Sequence, residues 1–450
     1  MKALPKGFRG DMANGFNPAT TETLSAPVRQ HIEQRMRLLG PAYRLFYSEP
    51  VEIARGEGVL LYDKQGNEYL DAYNNVVSVG HCHPEIIAAI TAQMSKVCTH
   101  TRYMQDGILK YAQDLLQTTD EAMQAGGHMM FTCTGSESND LAMRIARHYT
   151  GKTGVIVTKE AYHGNSWLTA GFSPSLGKNS HLDPYVRTVD APDSYRVPRE
   201  QIGAIMARQV AAQIEDMKRH GGGFAAFIAD SLFSSDGLYA DPTDLLSQVA
   251  EVVHAAGGLM ICDEVQSGFS RSGTHMWGHQ RHNVQPDIIT MGKPMGNGYP
   301  VAGIIVRHEI VKSFGRDMRY FNTFGGNSVA IAAAQATLDV IKEEQLMENA
   351  KVMGDFLLQG FKDIATRHER LGDVRGCGLY FGLEMVKDNV TKETDIDTAL
   401  ALVNQLRKQR VLISATGSDA NVLKIRPPLV FQQSHATRLL EEVEKAFNTI

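Results

Sequence analysis

Two charged residues in the stretch 257–303, GGLMICDEVQSGFSRSGTHMWGHQRHNVQPDIITMGKPMGNGYPVAG, stand where chemistry is done. Asp263 directly follows the apolar run LMIC (259–262), and Lys293 closely follows the run DIIT (287–290). Both runs are short, bulky or β-branched, and bounded by Gly and Pro, so they read as buried strands. Open α/β sheets bind their ligands at the carboxyl ends of such strands. A lysine in the apolar, glycine-lined turn GKPMGNG has its ammonium form disfavoured by desolvation, and its free amine attacks a carbonyl to form a Schiff base. A buried carboxylate in turn needs a cationic partner. Schiff-base lysine plus aspartate against a pyridinium nitrogen is the pairing that pyridoxal 5'-phosphate (PLP) requires, because the protonated ring takes up the electrons of a carbanion. Taken singly, Asp263 fits a helix cap or ion pair and Lys293 an exposed loop. Their placement in one sheet favours cofactor chemistry.

The elements around them must hold that sheet. From about residue 107 the pattern alternates: ILKYAQDLLQ helix, HMMFTC strand, NDLAMRIARHYTG helix, GVIVT strand, a helix near 199–219, FAAFIAD strand, LLSQVAEVVHAAGG helix. Such alternation predicts an α/β fold, a mainly parallel sheet with helices on both faces. After TFGGN (323–327), the segments GLYFGLEMV, VLISA and NVLKI with intervening helices predict a smaller α+β lobe. Residues 1 to about 40 read as an arm with one helix, APVRQHIEQRMRLLG, and VEIARGEGVLLYDKQGNEYLDAYNN as short antiparallel strands around a KQGN turn. The expected division is 1–75 (arm and part of the small domain), 76–330 (large domain) and 331–450 (small domain).

DEVQ followed by TMGKPMGNG resembles the class III aminotransferase family of fold-type I PLP enzymes. Within it the chain is most similar to the branch of ethanolamine-phosphate and 5-phosphohydroxylysine phospho-lyases, through NNVVSVGHCHP, TRYMQDGILKYAQDL, LAMRIARHYTG, AYHGN, YFNTFGGN, GDVRGCGLYFGLEMVKD and NVLKIRPP. The resemblance runs from about residue 45 to the C-terminus. It implies a mainly parallel seven-stranded sheet, a smaller domain that the N-terminal segment joins, and PLP bound covalently to Lys293.

CTGSESND (133–140) follows an apolar strand and opens a helix, with Thr134 and Glu137 fitting a capping box. The same amides, of Gly135 and Ser136, form an anion site at a helix N-terminus, and the resemblance places the PLP phosphate there. It also implies that Tyr162 stacks on the pyridine face, that His163 is a hydrogen-bond donor behind it, and that Gln266 contacts the ring hydroxyl. Thr323, an ordinary turn hydroxyl by itself, corresponds in similar enzymes to a contact with the phosphate of the other subunit, which implies a homodimer with shared active sites.

The chain departs from the common aminotransferase pattern at two linked places. The arginine of R-x-x-P-P, which clamps the α-carboxylate of a keto acid in similar enzymes, is replaced by Lys424, so the bidentate fork is absent. The glutamate of E-P-x-x-G-E that gates it is replaced by Ser235 within DSLFSSDG, where Asp230, Phe233 and Asp236 also depart from the phospho-lyases. Joint loss argues against transamination with an ordinary dicarboxylate acceptor, although Arg426 lies two residues on. The expected activity is a β-elimination releasing ammonia from a small amine that carries a phosphate or phosphonate, with Lys293 as base. Two reactions fit: a phospho-lyase sheds phosphate, and the related 1-hydroxy-2-aminoethylphosphonate ammonia-lyase sheds hydroxyl. An ω-aminotransferase is the alternative. Arg102, Lys424 and Arg426 are candidates for the phosphoryl or phosphonyl group, and each equally fits a structural ion pair.

Composition excludes other classes. A net charge of −5, with no basic run, argues against nucleic acid. Five cysteines without CxxC spacing suggest neither disulfides nor zinc and point to a reducing cytoplasm. His81, His83, His275, His279 and His282 lack carboxylate or cysteine at ligand spacing and read as loop hydrogen-bonding groups rather than metal ligands. No secretion signal or long apolar run marks a membrane protein.

Overall fold

The structure, a computed structural model, describes residues 12–450; the first part of the expected arm, residues 1–11, lies outside the described residues. Seven strands form one sheet in the spatial order Gly127–Thr132, Ala302–Arg307, Ile288–Met291, Leu259–Asp263, Phe224–Asp230, Gly154–Thr158, Val186–Val189. All run one way except Ala302–Arg307, which is antiparallel to both neighbours. The sheet is buried because successive side chains alternate between two apolar layers. Ile156, Phe227, Met260 and Cys262 pack against Ile202, Val210 and Leu246 of the helices Arg199–His220 and Leu245–Ala255. Val155, Val157, Ile228 and Ile261 pack on the other side against Leu141 and Ile145 of the helix Gly135–Thr150.

Two strands of this sheet are not legible as strands in the sequence. Val186–Val189 is an edge with half-exposed Arg187 and Thr188, so its alternation is short and polar. Ala302–Arg307 contains Gly303, a residue that weakens any strand signal. A Cβ there would lie 2.7 Å from the Met130 carbonyl oxygen of the adjoining strand, so the close approach needs glycine.

The N-terminal strands Ile53–Glu57, Leu60–Asp63 and Glu68–Asp71 pair antiparallel around the expected turn, where Asp63 Oδ1 accepts the amides of Gln65 and Asn67. A fourth strand, Val411–Leu412, joins them in parallel at Leu70 and Asp71, so the N-terminal segment and the C-terminal region share one sheet. The antiparallel strands Leu371–Cys377, Tyr380–Met385, Val422–Ile425 and Ser414–Thr416 form a third sheet. Among the described residues, no helix is long and apolar enough to cross a membrane.

Candidate active site

Five strands of the large sheet deliver residues from their carboxyl ends into one cavity. Gly135 and Ser136 come after Gly127–Thr132, Tyr162 and His163 after Gly154–Thr158, Asp230 and Asp263 from their strand ends, and Lys293 after Ile288–Met291. Gln266, Val265, Asn139 and Gly164 complete the wall.

Asp263 is 4% exposed and is held from three directions. Its Oδ2 accepts Nδ2–H of Asn139 at 2.8 Å and faces His163 Nδ1 at 2.7 Å, and its Oδ1 accepts the Val265 amide at 3.1 Å. Asn139 itself donates to the His163 carbonyl and accepts from the Thr290 hydroxyl. The carboxylate is thereby fixed in orientation.

Lys293 adopts φ +29°, in the left-handed region that a non-glycine residue seldom occupies. Its ammonium makes no hydrogen bond to any described residue. Enclosure, reinforced by the nearby Arg426 charge, lowers its pKa to about 8, with Asp263 and Asp230 opposing. A free amine is therefore accessible near neutral pH, which is what attack on a carbonyl requires.

The helix Gly135–Thr150 begins with the expected capping box: the Glu137 amide donates to Thr134 Oγ1 at 3.2 Å, and Glu137 Oε2 accepts the Thr134 amide. Gly135 and Ser136, in its first turn, line the cavity, and free amides at a helix N-terminus favour an anion. Backbones crowd here. A Cβ on Gly164, at φ +140°, would fall 2.7 Å from the Ser136 Cα.

Lys424 and Arg426 are 7% and 6% exposed and lie behind the cavity lining, Arg426 reaching it through Gln266. Lys424 Nζ donates to the Ser234 carbonyl at 3.0 Å, and its pKa is depressed by burial and by Arg426. Arg426 Nη1 donates to Gln266 Oε1 at 2.5 Å, and its guanidinium lies 4.4 Å from the Tyr73 ring centre. Among the described residues, neither makes an ion pair with a carboxylate. Arg102 and Thr323 are exposed and, like Lys424 and Arg426, are not among the residues that line the cavity of this chain. Arg102 lies over the Phe321 ring at 3.8 Å, so the two segments share one surface region.

Three further groups went unassigned from sequence. Asn139 sits on the buried helix face, where a polar residue among Leu141, Ala142 and Met143 is the signal. Asp230, paired in register with Asp263, lines the cavity, and burial raises its pKa, with the Asp263 charge adding to the effect. Glu264 is fully buried behind Asp263 and accepts from the Ser231 and Ser267 hydroxyls, the Gly278 and His279 amides, and faces His279 Nδ1 at 2.9 Å. His282 faces the Ser231 carbonyl, so these two histidines act as loop hydrogen-bonding groups.

An aromatic wall, a fixed carboxylate, a helix N-terminus and a half-buried lysine with no hydrogen bond to the described residues, in one cavity, suit a planar heteroaromatic phosphate. The fold and this site define a fold-type I PLP-dependent enzyme. A family profile for aminotransferase class-III matches residues 46–447, and the chain belongs to that family. It is 38% identical to an alanine–glyoxylate aminotransferase 2-like protein of Drosophila melanogaster, over 94% of this chain and 88% of the relative. It is 36% identical to ethanolamine-phosphate phospho-lyase homolog 1 of Caenorhabditis elegans, over 93% of each chain. A phospholyase from Arthrobacter, solved in complex with phosphoethanolamine, superposes with a TM-score of 0.90 at 40% identity, covering 93% of this chain and all of that one.

Proposed function

We propose that this protein is a PLP-dependent lyase that releases ammonia by β-elimination from a small amine carrying a phosphate or phosphonate. The observation that carries the reading is the pairing of Lys424 with the Ser234 carbonyl beside Ser235: no arginine–glutamate clamp for a keto acid stands there, and an elimination needs no second carbonyl substrate. The phospholyase likeness and the phospho-lyase relative support it.

PLP, when bound, supplies the electron sink that makes the carbon next to the amine acidic. Gly135 and Ser136 are the residues to hold its phosphate, Tyr162 its ring face, with His163 behind, and Gln266 its hydroxyl side. Asp263 keeps a proton on the ring nitrogen. Lys293 Nζ, as both the covalent anchor and the base, takes the proton from the carbon bearing nitrogen. Lys424 and Arg426 face the anionic end of the substrate. In this reading Arg102 and Thr323 act across a homodimer interface, on the partner's site. The same reading assigns 76–330 to the PLP-binding domain and 1–75 with 331–450 to the small domain, and places the enzyme in the cytoplasm.

Between the two leaving groups we favour hydroxyl. Asp230 opens into the cavity with its pKa raised by burial, and departing hydroxide needs a proton from such an acid whereas phosphate does not. The carbon–oxygen bond breaks, the Asp230 proton completes a water molecule, and hydrolysis of the unsaturated amine gives an aldehyde and ammonia.

The test supplies phosphoethanolamine or 1-hydroxy-2-aminoethylphosphonate with no keto acid and measures ammonia, aldehyde and inorganic phosphate. Ammonia with either substrate supports the lyase; phosphate release separates the two types. Amino transfer to added pyruvate or glyoxylate without free ammonia would replace the reading with the aminotransferase one, to which the Drosophila relative's name points.

A further inference from the structure

Asp236 is 7% exposed and lies behind the cavity wall, on the loop leaving the strand Phe224–Asp230. Its Oδ2 accepts the Thr158 hydroxyl at 2.8 Å and its Oδ1 accepts the Glu160 amide at 3.1 Å. Thr158 ends the strand Gly154–Thr158, and the turn through Glu160 leads to Tyr162, the aromatic wall. The same loop is held on its other side by the small lobe. Thr416 Oγ1 and Lys424 Nζ donate to the Ser234 carbonyl at 2.9 and 3.0 Å, and Arg375 Nη2 donates to the Gly237 carbonyl at 2.7 Å.

Charge does not explain this carboxyl. Among the described residues it makes no ion pair; the groups around it include Asp230 and Glu160, both acidic, and Lys424, bonded to the Ser234 carbonyl, acts on it only at longer range. Burial and those neighbours raise its pKa to about 7. Both hydrogen bonds survive protonation, since the Thr158 hydroxyl donates to a carboxylate or accepts from an acid.

We propose that Asp236 is a positioning residue that ties loop 231–237 to turn 158–162, and thereby fixes the gap between Tyr162 on one side and Asp230 with Lys424 on the other. The proposal deepens the lyase reading, since that gap is where the substrate's anionic end is held. It predicts an effect on substrate capture rather than on proton transfer at Lys293.

Asparagine separates the tie from the charge. In Asp236→Asn, Oδ1 still accepts the Glu160 amide and Nδ2 donates to Thr158 Oγ1, whereas Asp236→Ala loses both bonds. The holoenzyme of Asp236→Ala should show KM raised about tenfold with kcat within about threefold, and a weakened visible circular dichroism of the bound cofactor. Thr158→Val, which removes one bond, should shift both readouts part of the way, and serves if Asp236→Ala fails to fold. Asp236→Asn should stay near wild type in both. An Asn variant as impaired as Ala would show that the proton or charge matters and overturn the proposal, as would an Ala or Val variant with unchanged KM and dichroism. The dichroism needs no substrate, so inactivity toward phosphorylated or phosphonylated amines would sink the lyase reading while this test still decides the tie.

Discussion

Asp230 and Asp263 occupy paired positions on adjacent parallel strands, so two carboxyl groups open side by side into one cavity. Their surroundings differ. Asp263 takes side-chain contacts from Asn139 and His163 and the Val265 amide, whereas Asp230 accepts the amides of Leu232 and Ser234 at the start of its loop. Under the proposed reaction the unequal partners suit Asp263 to hold a ring nitrogen's proton and Asp230 to act as an acid.

Asp263→Asn should keep the cofactor bound but lose about three orders of magnitude in kcat, about 4 kcal/mol of barrier. An amide cannot hold a proton on a ring nitrogen. Stopped-flow and steady-state rates on the loaded variant check this, and a near-normal rate would make Asp263 structural.

Asp230→Asn should slow loss of a hydroxyl leaving group by about a hundredfold, the lower range for one general acid. Because its folded pKa is raised, the acid form persists above the ordinary carboxylate range and is lost as pH rises through the raised value. The wild-type rate should therefore fall on that alkaline side, and the Asn variant should show no such limb. Equal pH profiles would remove Asp230 from the chemistry.

Borohydride should fix the cofactor to Lys293, with peptide mapping as the readout. With its amine pKa lowered to about 8, the apoprotein's rate of cofactor capture should climb as pH rises toward 8 and level off above it. Lys293→Ala should bind cofactor without turnover, and label on any other lysine would refute the assignment.

Glu264→Gln should destabilise the fold by roughly 3 kcal/mol, since buried donors lose a charged acceptor. Its hydrogen bonds and His279 hold the carboxyl at about 2 against the desolvation that opposes them. The stabilisation is thus present above the unfolded glutamate value and is lost as pH falls toward 2. Denaturant midpoints of both proteins should converge in acid, and a constant gap would contradict this account.

Much of this site was readable from sequence because its groups sit at strand ends. LMIC and DIIT announce Asp263 and Lys293, and Thr134 with Glu137 announces the helix Gly135–Thr150 whose start lines the cavity. Glu264 carries no such mark. Its partners come from positions 231, 267, 278 and 279, which only the folded loops bring together. Asn139 was hidden for the same reason, since its bond to Asp263 crosses from helix to sheet. Arg102 and Thr323 show the opposite limit: family resemblance selects them, while the single chain leaves both at the surface.

The parallel pairing of Val411–Leu412 with Leu70–Asp71 gives synthesis of this chain a particular order of events. On the ribosome, the strand Glu68–Asp71 emerges early and its outer edge has no partner until almost the whole polypeptide has been made. An unpaired edge of that kind invites pairing with other chains. The amide of Arg426 donates to the Ala72 carbonyl just beyond that strand, so the segment carrying Lys424 and Arg426 is held against the N-terminal part of the chain. Nascent chains cut short before residue 411 should therefore be aggregation-prone and unable to capture cofactor, even with Asp263 and Lys293 already in place.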